Sequence, residues 1–103
     1  MPVRPAEEPI EPPAVLFHGT ARDTVPVIRV AGILPMGRRY VHLAETAEQA
    51  REVGQRKDSS PVILAIDTGL AVSRGVSFYR SESGVWLSGP IPAAAVNILD
   101  VSD

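Results

Sequence analysis

Apolar residues recur along the chain in short runs, each closed off by polar or turn-forming residues. Residues 14–17 (AVLF) are followed at once by His18, Gly19 and Thr20, which reads as a buried strand opening into a tight turn. Residues 40–43 (YVHL) alternate polar and apolar side chains, placing Tyr40 and His42 on one strand face and Val41 and Leu43 on the other. Val62 to Ile66 is β-branched and almost wholly apolar, as expected of a central strand. Phe78 to Ser81, Gly84 to Leu87 and Val96 to Val101 complete the predicted strands. Between them, Arg22 to Ala31 reads as one helix, with Pro26 in its first turn and Gly32 as its stop. Ile33 to Gly37 is a connector. Thr46 and Gln49 have capping-box spacing and start a second helix through about Arg56, with Ala47, Ala50 and Val53 on one face. Short strands at close spacing with two main short helices predict an α+β fold around a split or two-sheet β core.

Composition narrows the class. A chain of 103 residues is the size of one domain and buries roughly 65% of its unfolded surface, enough for one core without staples. With no cysteine and two histidines it has no disulfide framework, no thiol nucleophile and no expected metal site. Five of the ten prolines fall within residues 1–13, so that segment reads as a proline-rich leader and 14–103 as the folded domain. No apolar run approaches the ~18 residues of a membrane span, and the start lacks a secretory pattern, so the expectation is no membrane and a cytoplasmic location. A net charge of −2 gives no overall basic field, so contact with nucleic acid has to rest on a local cluster.

The polar residues admit plain and functional readings. His18-Gly19-Thr20 is either a turn capped by a histidine or a place where the peptide N–H and C=O of a glycine read a flat carboxamide such as nicotinamide. Tyr40 and His42 belong either to a half-exposed sheet face or to a cleft wall. Arg38 and Arg39 precede that strand, and Arg80 sits at a similar place before another; a guanidinium fork suits phosphate, though adjacent arginines are most often solvated. Arg56 and Lys57 end a helix, where cations complement the dipole. Trp86, between Val85 and Leu87, reads as core. Glu45, Glu48 and Glu52 read as helix surface and Asp67 as a strand end, so no carboxylate pair is poised for glycosidase chemistry. The sequence has neither a nucleophile elbow nor a P-loop.

The ordered set is more specific than any part. Residues 15–20 (VLFHGT), 32–43 (GILPMGRRYVHL), 53–56 (VGQR), 61–67 (PVILAID) and 75–87 (GVSFYRSESGVWL) together resemble the RNA 2′-phosphotransferase family over about residues 12 to 96. The resemblance implies an ADP-ribosyltransferase-like fold, a split and mainly antiparallel β core around a cleft for NAD. It implies that His18, Gly19 and Thr20 read nicotinamide and ribose, that Arg38, His42 and Arg80 are the catalytic set, and that Arg38, His42 and Ser81 also hold the cofactor. His18, Arg38 and Arg80 are therefore expected to converge on one hollow the size of a dinucleotide.

The activity implied is NAD-dependent and has two steps. An RNA 2′-phosphate displaces nicotinamide from NAD; the ribose 2″-hydroxyl then attacks phosphorus, freeing the RNA and leaving ADP-ribose 1″,2″-cyclic phosphate. Such chemistry relies on positioning and charge clamps, and the resemblance implies no metal. The partners implied are NAD and RNA bearing a 2′-phosphate. This chain departs from the family pattern at Tyr40, Ala44 and Ser83, where members carry histidine, serine and asparagine. Members also have an N-terminal lobe of similar size where this chain has the proline-rich leader, so a partner chain supplying that lobe is one expectation. The alternatives are a single-lobe ADP-ribosyltransferase acting on another phosphate or on protein, and a non-catalytic module that binds NAD or ADP-ribose.

Overall fold

The computed structural model describes residues 8–101. Two three-stranded antiparallel sheets form its β core, which establishes the α+β class. In the larger sheet β3 (Val62–Asp67) lies between β1 (Val15–Thr20) and β6 (Val96–Val101). In the smaller, β5 (Trp86–Ser88) lies between β2 (Val41–Leu43) and β4 (Phe78–Arg80). The apolar run of β3 is central because both its faces are covered: Ile63, Leu64 and Ile66 are all fully buried.

Strand alternation assigns those faces. Leu16, Val62, Leu64 and Ile66 of the larger sheet share a core with Val41, Leu43, Phe78 and Trp86 of the smaller. The opposite face of the larger sheet takes helix α2 (Ala47–Gly54), whose Ala50 is buried. Helix α2 lies so close to β1 that a Cβ at Gly19 would sit 2.0 Å from the Ala50 carbonyl oxygen, and one at Gly54 would sit 2.7 Å from Pro61 Cβ. The sheets are stitched together where Phe17 N–H donates to Ala44 O (2.9 Å) and Ala44 N–H donates to Phe17 O (2.8 Å).

Several expectations need revising. His18, Gly19 and Thr20 continue β1 and do not turn, because their register with Leu64, Ile63 and Val62 is unbroken. The segment read as one helix from Arg22 is a 3-10 turn (Arg22–Thr24) followed by α1 (Val25–Ala31), with Pro26 in the first turn and Gly32 ending it at φ 77°. The N-cap half of the expected capping box is present at Thr46, whose Oγ1 accepts from Gln49 N–H (3.1 Å). Val53 is not part of the buried face of α2; it is 45% exposed. A third helix, α3 (Thr68–Ser73), was not foreseen: Asp67 ends β3 and also caps this helix, Oδ1 accepting from Leu70 N–H at 3.0 Å. Residues 1–7 of the expected leader lie outside the described residues; beyond them, Ile10 N–H donates to Phe78 O (2.8 Å).

Candidate functional site

A cleft of about 940 Å3 opens between β1, α1, the 33–45 segment, α2 and the 83–85 turn. Four local devices shape it. The tight turn 35–38 is closed by Arg38 N–H donating to Pro35 O (3.1 Å), with positive φ at both central residues, Met36 (53°) and Gly37 (91°), as in a type I′ turn. That turn delivers Arg38 to the mouth of β2. The α2 stripe Gln49, Ala50, Val53, Arg56 and Lys57 forms one wall. Asp58 ties the end of that wall to the 3-10 turn, Oδ2 accepting from Arg22 N–H (3.2 Å) and Nε–H (3.3 Å) while Oδ1 accepts from Ser60 N–H (3.0 Å). Those bonds, the one from Ser60 foremost, hold the Asp58 carboxyl below its ordinary range. Ser83, Gly84 and Val85 close the far side.

His18 and His42 meet at the centre, and their bonding fixes their protons. A carbonyl can only accept, so His18 Nδ1–H donates to His42 O (3.0 Å), and neutral His18 keeps Nε2 as a free acceptor. A guanidinium can only donate, so Arg38 Nη1–H bonds His42 Nδ1 (3.1 Å), which leaves the proton of neutral His42 on Nε2. Burial is the largest cause of a lowered pKa at His18, opposed by the bond to His42 O and reinforced by the charges of Lys57 and His42. His42 is lowered by burial first, then by Arg38 and Lys57. Both imidazoles are therefore neutral at neutral pH, in a lining that holds the cations Arg38, Arg56 and Lys57 and the carboxylates Asp23 and Glu45.

The peptide edge of Gly19 is the third element. Amides alternate in direction along a strand, and those of Phe17 turn away from β3 to reach Ala44. Gly19, two residues on, turns its N–H and C=O toward the same side. That alternation points them away from the β3 ladder, and among the described residues they enter none of the backbone hydrogen bonds outside the ladders. A bare donor–acceptor pair thus lies in the cleft lining.

Of the residues singled out in the sequence, His18, Gly19, Thr20, Arg38 and His42 all line this cleft, and Tyr40 joins His42 on its wall. Arg80 and Ser81 do not. Arg80 stands at the rim, half exposed, with Nη2 3.5 Å from Oε1 of Glu45, which does line the cleft. Ser81 is buried in the β4–β5 turn, where its Oγ accepts from Val85 N–H (3.1 Å) and lies 2.9 Å from Ser83 Oγ. Arg39 is outside the lining as well. Sequence reasoning missed Glu45, Arg56 and Lys57, taken as helix surface and dipole partners. The signal for the last two was the helical spacing from Gln49 through Val53 to Arg56, which continues one stripe past the end of α2.

Comparison with known proteins accounts for this arrangement. Residues 2–89 match the family described as RNA 2′-phosphotransferase, Tpt1 / KptA family. A probable RNA 2′-phosphotransferase of Acetivibrio thermocellus is 44% identical over 93 residues, covering 90% of this chain and 51% of that protein. One from Lacticaseibacillus paracasei is also 44% identical over 93 residues (90% of this chain, 50% of that protein), and one from Bacillus thuringiensis is 41% identical over 98 (95% and 53%). The chain spans about half the length of these relatives. With a match over most of its length and a cleft built from the matching segments, the chain belongs to the RNA 2′-phosphotransferase family.

Proposed function

We propose that the cleft binds NAD and that the chain carries the NAD-binding part of an RNA 2′-phosphotransferase, moving a 2′-phosphate from RNA onto ADP-ribose with release of nicotinamide. The observation carrying this is the open peptide edge of Gly19 beside a neutral His18, in a lining with three cations. The volume suits a dinucleotide, standing at the upper end of the roughly 300–1,000 Å3 typical of small-molecule and cofactor sites.

Each residue has a role that its bonding permits. The Gly19 N–H and C=O match the acceptor and donor of a carboxamide. His18, its Nδ1–H spent on His42 O, presents Nε2 as an acceptor for a ribose hydroxyl, and Thr20 is buried beside it. Arg38 uses one guanidinium nitrogen on His42 and retains others for phosphate oxygens. His42, held with its proton on Nε2, adds a neutral donor. Lys57 and Arg56 supply positive charge from the α2 wall, and Arg80, from the rim, reaches a phosphate on exchanging its bond to Glu45. NAD supplies the glycosidic bond to nicotinamide that breaks as the 2′-phosphate takes the anomeric carbon. Fixed donors aimed at the phosphates favour the charge redistribution of that step.

The test is mass spectrometry of small molecules after incubating the protein with NAD and a 2′-phosphorylated oligoribonucleotide. Nicotinamide with ADP-ribose cyclic phosphate is the expected result. A folded protein that neither binds NAD nor releases nicotinamide overturns the proposal. Because the chain spans half of its relatives' length, a second reading keeps the cofactor without the reaction. Calorimetric NAD binding with no product over hours selects that reading.

A further inference from the structure

A second hollow, of about 380 Å3, lies on the smaller sheet beside the cleft, and Tyr40 lines both. Its other lining includes Tyr79 and Arg74. We infer that Tyr40, Tyr79 and Arg74 form a stacking subsite for a base of single-stranded RNA next to the nucleotide whose 2′-phosphate enters the cleft. The inference rests on the proposed function for the identity of the polymer, and on the following geometry for the subsite.

Register places Tyr79, Leu87 and His42 in one cross-strand row, so Tyr79 shares a sheet face with the histidine of the cleft, and Tyr40, two residues before His42, joins that face. A strand leaving the cleft past His42 thus crosses Tyr40 and arrives at Tyr79. The two tyrosine rings meet edge to face, with centroids 5.9 Å apart and planes at 61°. An edge-to-face pair, unlike a parallel stack, leaves ring faces unspent. Among the described residues Arg74 is the only charged one in the lining, no carboxylate accompanies it there, and its guanidinium has no acidic partner. Aromatic faces with a single unopposed cation suit a nucleobase and its phosphate.

The test measures anisotropy of a labelled single-stranded oligoribonucleotide with one internal 2′-phosphate, against the same strand with abasic riboses flanking that nucleotide. NAD binding is followed in parallel by calorimetry. The abasic strand should bind the unaltered protein roughly five- to a hundredfold more weakly. Tyr79→Ala should erase that discrimination, Tyr79→Phe should keep it, and all variants should bind NAD alike. Arg74→Gln should flatten the dependence of log affinity on log salt by about 0.7, one phosphate's worth on a single strand. Equal affinity for base-bearing and abasic strands overturns the subsite, and needs no variant to fold. Base-dependent RNA binding without NAD binding upholds the subsite and counts against the cofactor instead.

Discussion

At the scale of the residue, the histidine pair shows how bonding and burial together set a proton inventory. His18 and His42 both titrate below the ordinary 6.5, so the folded chain binds fewer protons than the unfolded chain as the solution is acidified. Their contribution to stability is therefore complete above about pH 6.5. It is lost as the pH falls through 6.5 toward their folded-state values. Proton NMR should place both midpoints below 6.5, and denaturation midpoints should drop between pH 7 and 5. Arg38 is among the causes at His42, so Arg38→Ala should move the His42 midpoint up while Arg38→Lys keeps most of the depression. Arg80 behaves differently. Its ion pair with Glu45 is exposed and adds no more than about 1 kcal/mol, so Arg80→Ala should leave unfolding nearly unchanged. Nicotinamide release, in contrast, should slow or stall.

At the scale of the element, two backbone devices position the cleft walls. Helix α2 can lie on β1 only because Gly19 has no side chain, the Cβ position being 2.0 Å from backbone that cannot swing away. Gly19→Ala should cost at least ~1–3 kcal/mol by chemical denaturation, as overpacking does, and should displace the wall bearing Arg56 and Lys57. Thr46→Ala, which removes the cap at the other end of α2, should cost ~0.5–2 kcal/mol. The turn before Arg38 holds Met36 at a positive φ that a side chain adopts at a cost of roughly 1–2 kcal/mol. Met36→Asn creates the Asn-Gly pair that type I′ turns favour, and should raise the unfolding midpoint without moving Arg38.

At the scale of the whole molecule, the formal charge of −2 conceals a local field. Arg38, Arg56 and Lys57 share one lining with Asp23 and Glu45, and Glu45 is engaged by Arg80 at the rim. Binding of a dinucleotide there should raise the unfolding midpoint with ligand concentration, as any ligand of the native state does. Lys57→Ala should weaken NAD binding and, with that charge removed, let both histidine midpoints rise.

Read alone, the sequence determined the local elements and the class of fold. An apolar β-branched run makes β3 central, the Thr46–Gln49 spacing caps α2, and the alternation in residues 40–43 buries Val41 and Leu43 while turning His42 outward. The ordered motifs also marked five residues that the cleft gathers: His18, Gly19, Thr20, Arg38 and His42. Tertiary structure alone decided what surrounds them. Helix α3 went unseen because Asp67 serves both as the last residue of a strand and as a helix cap. Glu45, Arg56 and Lys57 acquire their place only when α2 packs on β1, and Arg80 takes the rim because Glu45 reaches it there. Periodicity reports which side of an element meets the core; which polar side chains meet one another across a cleft depends on how separate elements dock, and no local pattern encodes that distance.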